Sequence, residues 1–175
     1  KLLNALSAAV GVTPPRNTLQ LSPLQATDFA LRVNDIQHGT ARLRHIRGAR
    51  FTQWGEVDVQ IRNGEVQIPA GFSLIWVKHR HGRHEAKPQI ALLEGWGELR
   101  GAIATSYSHD SHNLVVLGRN AEDMALAANQ LIASGGGMAL AQNGDILAHV
   151  AMPIAGMLSD KPAETLAAEF RNLRD

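Results

Sequence analysis

Ser106-Tyr107-Ser108-His109-Asp110-Ser111-His112-Asn113 gathers two imidazoles, a carboxylate, an amide and several hydroxyls into one short stretch. Imidazole titrates near neutral pH, so His109 or His112 beside Asp110 could take or give a proton at a reacting centre. The plainer alternative is a turn in which the Asp and Ser side chains bond to nearby backbone. A second cluster is His79-Arg80-His81-Gly82-Arg83-His84. His-x-His at a strand end turns two imidazoles to one side, as metal sites require, which makes His79 and His81 candidate metal ligands. Histidines among arginines are also often simply solvated. Five of the eight histidines lie between positions 79 and 112, so any imidazole chemistry is concentrated there.

These clusters must be held by the segments around them. Gly101–Ser106 and Asn113–Gly118 are expected as strands flanking the polar stretch, and Ser73–Lys78, continuously apolar, as a central strand leading into the His79 cluster. Val57, Val59 and Ile61 alternate with polar residues up to Asn63-Gly64, after which Val66 and Ile68 alternate again. Asn-Gly suits a type I′ hairpin turn. That turn pairs Arg62 with Glu65, Ile61 with Val66 and Val59 with Ile68, leaving one face uniformly apolar. Asn143-Gly144 predicts a second hairpin, with Leu140 opposite Leu147 and Ala141 opposite Ile146. Thr40–Arg47 is a further expected strand, its Arg42, Arg44, Arg47 and Arg50 with His45 forming a solvated face. Phe29–Val33 is another, followed by a turn at Asn34-Asp35.

Ser22-Pro23-Leu24-Gln25 has the pattern of a capped helix start. Asn120 is expected to cap a helix whose Met124, Ala127, Ala128, Leu131 and Ile132 share one face, and Gly135-Gly136-Gly137 to end it. That glycine run follows a helix and lacks a Lys-Ser/Thr, so it is no phosphate loop. A last helix starts near Ser159-Asp160 and buries Leu166, Phe170 and Leu173. His79 to Arg100 is expected to be a long loop, and Trp54, Trp76 and Trp96 to lie in the core. Hairpins followed by helices predict an α+β fold, mostly antiparallel sheet with helices packed against it, and not a TIM barrel by itself. Residues 1–18 carry helical spacing and then Gly11 and Pro14-Pro15, which suggests an upstream helix and linker remnant ahead of a domain at 19–175.

The 175 residues are 45% apolar and 19% charged with a formal net charge of +1, an ordinary globular composition that argues against nucleic-acid or membrane-surface binding. No apolar run approaches the roughly 20 residues of a membrane span. The lack of cysteine excludes disulfides and thiolate chemistry and fits the cytoplasm.

Gly101-Ala102-Ile103-Ala104-Thr105-Ser106, His109-Asp110-Ser111-His112-Asn113, Asp123-Met124-Ala125, Ala128-Asn129, Gly135-Gly136-Gly137 and Pro153-Ile154-Ala155-Gly156-Met157-Leu158-Ser159-Asp160 occur in order at consistent spacing. Together with Arg50-Phe51-Thr52-Gln53-Trp54-Gly55 and His79-Arg80-His81-Gly82, they resemble the C-terminal domain of bacterial adenine deaminases, from about Leu19 to the end. The resemblance implies an amidohydrolase that converts adenine to hypoxanthine and ammonia. It implies a binuclear Mn2+ or Fe2+ centre in an upstream (β/α)8 barrel, which takes about 250 residues and is not in this sequence. The chain alone is then expected to be inactive. The barrel's own His-x-His ligands are distinct from His79 and His81. The implied site roles are catalytic for His109, Asp110 and His112 and substrate-binding for Ser111 and Asn113. The implied partners are adenine, the barrel and further copies in a homo-oligomer. The competing expectation is a non-catalytic structural, oligomerisation or ligand-binding module.

Overall fold

A computed structural model describes residues 13–48, 51–83, 85–97 and 99–174, together with Ala5 and Gly11. Apart from Ala5, the helical spacing expected over residues 1–10 lies outside them, as do Arg50 and His84. The described residues form nine strands in one open sheet: β1 (His38–Arg47), β2 (Gln53–Arg62), β3 (Glu65–Gln67), β4 (Phe72–Lys78), β5 (Gln89–Glu94), β6 (Ala102–Thr105), β7 (Leu114–Gly118), β8 (Gly137–Gln142) and β9 (Asp145–Ala151). Two α-helices accompany them, α1 (Ala121–Ser134) and α2 (Ala163–Arg174). The strand order is β3-β2-β1-β5-β4-β7-β6-β8-β9. Every neighbouring pair is antiparallel except β1 and β5. The α+β expectation holds, and the sheet does not close into a barrel.

Local chemistry explains the turns. Asn63 and Gly64 both take positive φ, 52° and 76°, and Ile61 pairs with Val66 and Arg62 with Glu65. The ladder stops at Gln67, so Val59 and Ile68 are in register but beyond it. In the second hairpin Ala141 pairs with Ile146 as expected, but a bulge shifts Leu140 onto Ala148. Leu147 is thereby left 55% exposed.

Helix α1 starts where expected. The Asn120 side chain accepts a hydrogen bond from the Asp123 amide at 2.8 Å, and Gly135 ends the helix at φ 80°. Its Met124, Ala127, Ala128 and Leu131 are fully buried over Ala102 and Ala104 of β6, Leu114 and Val116 of β7, and Ala139 and Ala141 of β8. Alanines on the sheet let the helix sit close. The Asn129 amide accepts from Leu24 N at 2.8 Å and donates to Leu24 O at 2.9 Å, fastening the N-terminal segment over the same face. There Phe29 packs on Trp76 at 4.8 Å, and the Trp76 indole donates to Asp28 O at 2.9 Å.

Several expectations are corrected. The helix start at Ser22 is instead a 3₁₀ turn, Ala26–Phe29, capped reciprocally by Gln25 and Asp28, because the chain must bend to place Phe29 on Trp76. Phe29–Val33 contributes one bridge, Arg32 to Glu65, rather than a strand. The expected long loop contains β5, inserted between β1 and β4. Trp76 is buried, but Trp54 and Trp96 are 55% and 45% exposed. The terminal helix buries none of its residues fully: Leu166 and Leu173 are half-buried and Phe170 is exposed, since α2 meets the sheet at its β9 edge. On β1 the arginines at 42, 44 and 47 are exposed, whereas His45 is buried on the face opposite Arg42 and Arg44, where Gly55 leaves room for its ring.

Asp123 ties α1 to the second hairpin. It is buried, and its carboxylate accepts from Asn143 N at 3.1 Å and Gly144 N at 2.9 Å. Bonds to a carboxylate are the stronger kind. Asp123→Ala is therefore expected to cost about 2–4 kcal/mol in denaturant unfolding; an unchanged midpoint would contradict this role.

Candidate functional site

The polar stretch 106–113 is the connection between antiparallel β6 and β7. Its first residue is structural. Ser106 is fully buried, its hydroxyl donating to Gly156 O at 2.6 Å and accepting from Gly137 N at 2.8 Å, while its amide donates to Gly137 O at 3.0 Å. One serine thus joins β6, β8 and the Pro153–Gly156 turn.

Beyond Ser106 the chain closes a tight turn. His112 N donates to Ser108 O at 2.8 Å and Ser111 N to His109 O at 3.0 Å. Asp110 and His112 take positive φ, 63° and 46°, which non-glycine residues rarely adopt and which clusters at functional sites. His109, Asp110 and Ser111 project into solvent, and His112 and Asn113 are half-buried. The Tyr107 ring lies 5.5 Å from the His109 ring and 6.0 Å from that of His112. The turn thus sets the His109 and His112 rings near that of Tyr107, with Asp110 between them in the chain. The buried Nδ1 of His112 has no hydrogen-bond partner among the described residues.

The buried guanidinium of Arg80 fixes this turn from beneath. Its Nε donates to His112 O, one terminal nitrogen to the Thr18 hydroxyl and the other to Ala155 O at 2.9 Å. The segment that includes Thr18 is held there as well: Asn17 N donates to Pro153 O at 3.1 Å, Ala155 N to Pro15 O at 2.8 Å, and Gln20 N to Arg80 O at 2.7 Å. Gly156 lies against the guanidinium so closely that a Cβ would stand 2.5 Å from Arg80 Nη1. Burial lowers the pKa of Arg80. Burial, and after it the charges of Arg80, His79, Arg83 and His112, lower that of His81. The electrostatics thus favour a neutral His81.

His79 and His81 are paired with ring centroids 5.4 Å apart at the end of β4. Among the described residues no three His, Cys, Asp or Glu side chains gather closely enough to hold a metal ion; those residues offer the two imidazoles without a complete donor set. Sequence reasoning missed Arg80, Thr18 and Gly156. Arg80 bonds to two backbone carbonyls and a hydroxyl, for which no residue pattern exists. The only signal was an arginine at the end of a central apolar strand.

What the fold and site define is an α+β domain that presents a strained, histidine-bearing turn beside its own N-terminal segment. The chain belongs to the family described as the adenine deaminase C-terminal domain, which matches residues 49–175. It is 80% identical over 175 residues to the adenine deaminase of Klebsiella pneumoniae (strain 342), covering 100% of this chain and 29% of that protein. With the adenine deaminase of Serratia proteamaculans (strain 568) it shares 74% over 175 residues, again 100% of this chain and 29% of the relative. With adenine deaminase 2 of Rhizobium meliloti (strain 1021) it shares 45% over 167 residues, 95% of this chain and 28% of that protein. The chain thus spans less than a third of these relatives' length. Among the described residues no helix is long and apolar enough to cross a membrane.

Arg80 holds three segments by a planar fork that lysine cannot reproduce. Arg80→Lys is expected to destabilise the domain by about 2 kcal/mol or more, and Gly156→Ala to do so as well. An Arg80→Lys protein with an unmoved unfolding midpoint would refute the role.

Proposed function

We propose that this chain is the C-terminal part of a cytoplasmic adenine deaminase that hydrolyses adenine to hypoxanthine and ammonia. The larger upstream part, an amidohydrolase barrel, would hold the metal centre, Mn2+ or Fe2+, which supplies an activated water. The described residues do not assemble a donor set of their own, so His79 and His81 would need further ligands to hold a metal. One observation carries the reading of the turn: the guanidinium that bonds His112 O also bonds Thr18. The turn is thereby locked to the segment leading to the upstream part.

In that position His109, Asp110 and His112 face what the upstream part brings. A carboxylate or imidazole within reach of the purine can accept or donate a ring N–H hydrogen bond, or move a proton toward the departing ammonia. Ser111 and Asn113 would help hold the purine edge. The vacant Nδ1 of His112 favours an outside partner, because a buried polar atom without one is costly. The backbone bonds that close the turn favour the competing reading, a purely structural corner.

His109→Ala, Asp110→Asn and His112→Ala in the full-length polypeptide separate the two. Turnover of adenine is expected to fall roughly 100-fold or more for at least one of them, with melting temperature held within about 2 °C. Unchanged turnover in all three, or losses that follow melting temperature, would leave the turn a structural corner.

A further inference from the structure

The two faces of the sheet are treated differently. Helix α1 and the N-terminal segment cover one of them. By strand alternation Ile75 of β4, Ile103 of β6 and Val115 and Leu117 of β7 point to the other, opposite Leu74 and Trp76, Ala102 and Ala104, and Leu114 and Val116. All four are half-buried only. From β4 to β6 this face is mainly apolar, while on β1 and β2 it carries Arg42, Arg44, Glu56 and Asp58 around Ile46 and Trp54; both α-helices lie elsewhere, α1 on the other side and α2 at the β9 edge.

Three of the exposed aromatic side chains gather at the same face. Trp54 stands beside Ile46 in the register of β2 and β1, with the Arg44 guanidinium 4.4 Å over its ring. Trp96 and Tyr107 rim a hollow of about 330 Å³ floored by Ile75, Val115 and Leu117. Their exposures are 55%, 45% and 47%. Half-buried apolar side chains beside exposed Trp and Tyr, with an Arg stacked on one of the rings, have the composition of an interface core rather than of a solvated sheet.

We propose that this uncovered face is the seat on which the upstream part of the polypeptide docks, with Trp54, Trp96 and Tyr107 as anchors. The occupant is chosen on length and continuity. The chain corresponds to 29% of the length of its Klebsiella pneumoniae relative, so the larger part of such a polypeptide has to be accommodated against a C-terminal domain. The face also runs without a break into the polar turn, since Tyr107 belongs to both, and that turn is bonded through Arg80 to Thr18. Docking here would exclude water from the flank of the turn and set His109 and Asp110 at the rim of the joint. The inference rests on the reading of this chain as one part of a longer deaminase.

Hydroxyl-radical footprinting of the full-length polypeptide tests it, with deaminase activity assayed on the same preparation. Trp54, Trp96 and Tyr107 are each expected to label at least fivefold more slowly than their exposure in the domain implies, at every protein concentration. Labelling at the rate their exposure implies would overturn the proposal. Protection that disappears on dilution would also overturn it, because the occupant would then be a second copy. Activity is read separately: absent activity with concentration-independent protection refutes the deaminase reading and keeps the docking face, whereas full activity with unprotected aromatics does the reverse.

Discussion

A guanidinium shut away from water must find acceptors for its N–H groups, and Arg80 finds them on three segments remote in sequence. His112 O, the Thr18 hydroxyl and Ala155 O all converge on it, and none carries a negative charge. The cation is held by oriented dipoles alone, an arrangement that tolerates little displacement because each lost acceptor leaves a buried charge less solvated. Gly156 is required by the same contact, and Ser106 bonds the Gly156 carbonyl from the other side. The turn at 106–113 is thus fixed by the packing of a charge, and its two residues at positive φ are positioned by neighbours that over-determine them.

The sheet exists to bring those neighbours together. Strands β4, β7, β6 and β8 are adjacent, so the end of β4 carries Arg80, the β6–β7 connection carries the turn, and Gly137 at the start of β8 receives Ser106. Helix α1 holds these strands through small-residue contacts, and Asn129 brings the N-terminal segment over the same layer. The resulting core is one-sided. A sheet covered on one face and mainly apolar from β4 to β6 on the other leaves apolar surface open to a partner, in keeping with a chain that spans less than a third of its relatives' length.

How much of this was legible depended on whether the cause was local. Both Asn-Gly turns and the Asn120 cap were readable because each is set by residues a few positions apart. Strand β5 was not: its parallel partner β1 lies more than forty positions away, as in Ile46 with Leu93, and no turn chemistry marks such a pairing. Trp54 and Trp96 were expected inside because apolarity was equated with burial, whereas the sheet leaves one face uncovered. The capping pattern at Ser22 failed because contact with Trp76 overrode it. At the site, the clustering of His109, Asp110 and His112 was visible as composition, but the Arg80 hub was not, since its acceptors are mainly backbone carbonyls.

The central claim is that the Arg80-anchored turn stands at the place where the longer protein handles its purine. A crystal structure of the full-length polypeptide with hypoxanthine bound examines it most directly. The account predicts a side-chain atom of His109, Asp110 or His112 at about 2.6–3.2 Å from the purine, or from a single water touching it. A purine bound with all three side chains beyond that reach would contradict it.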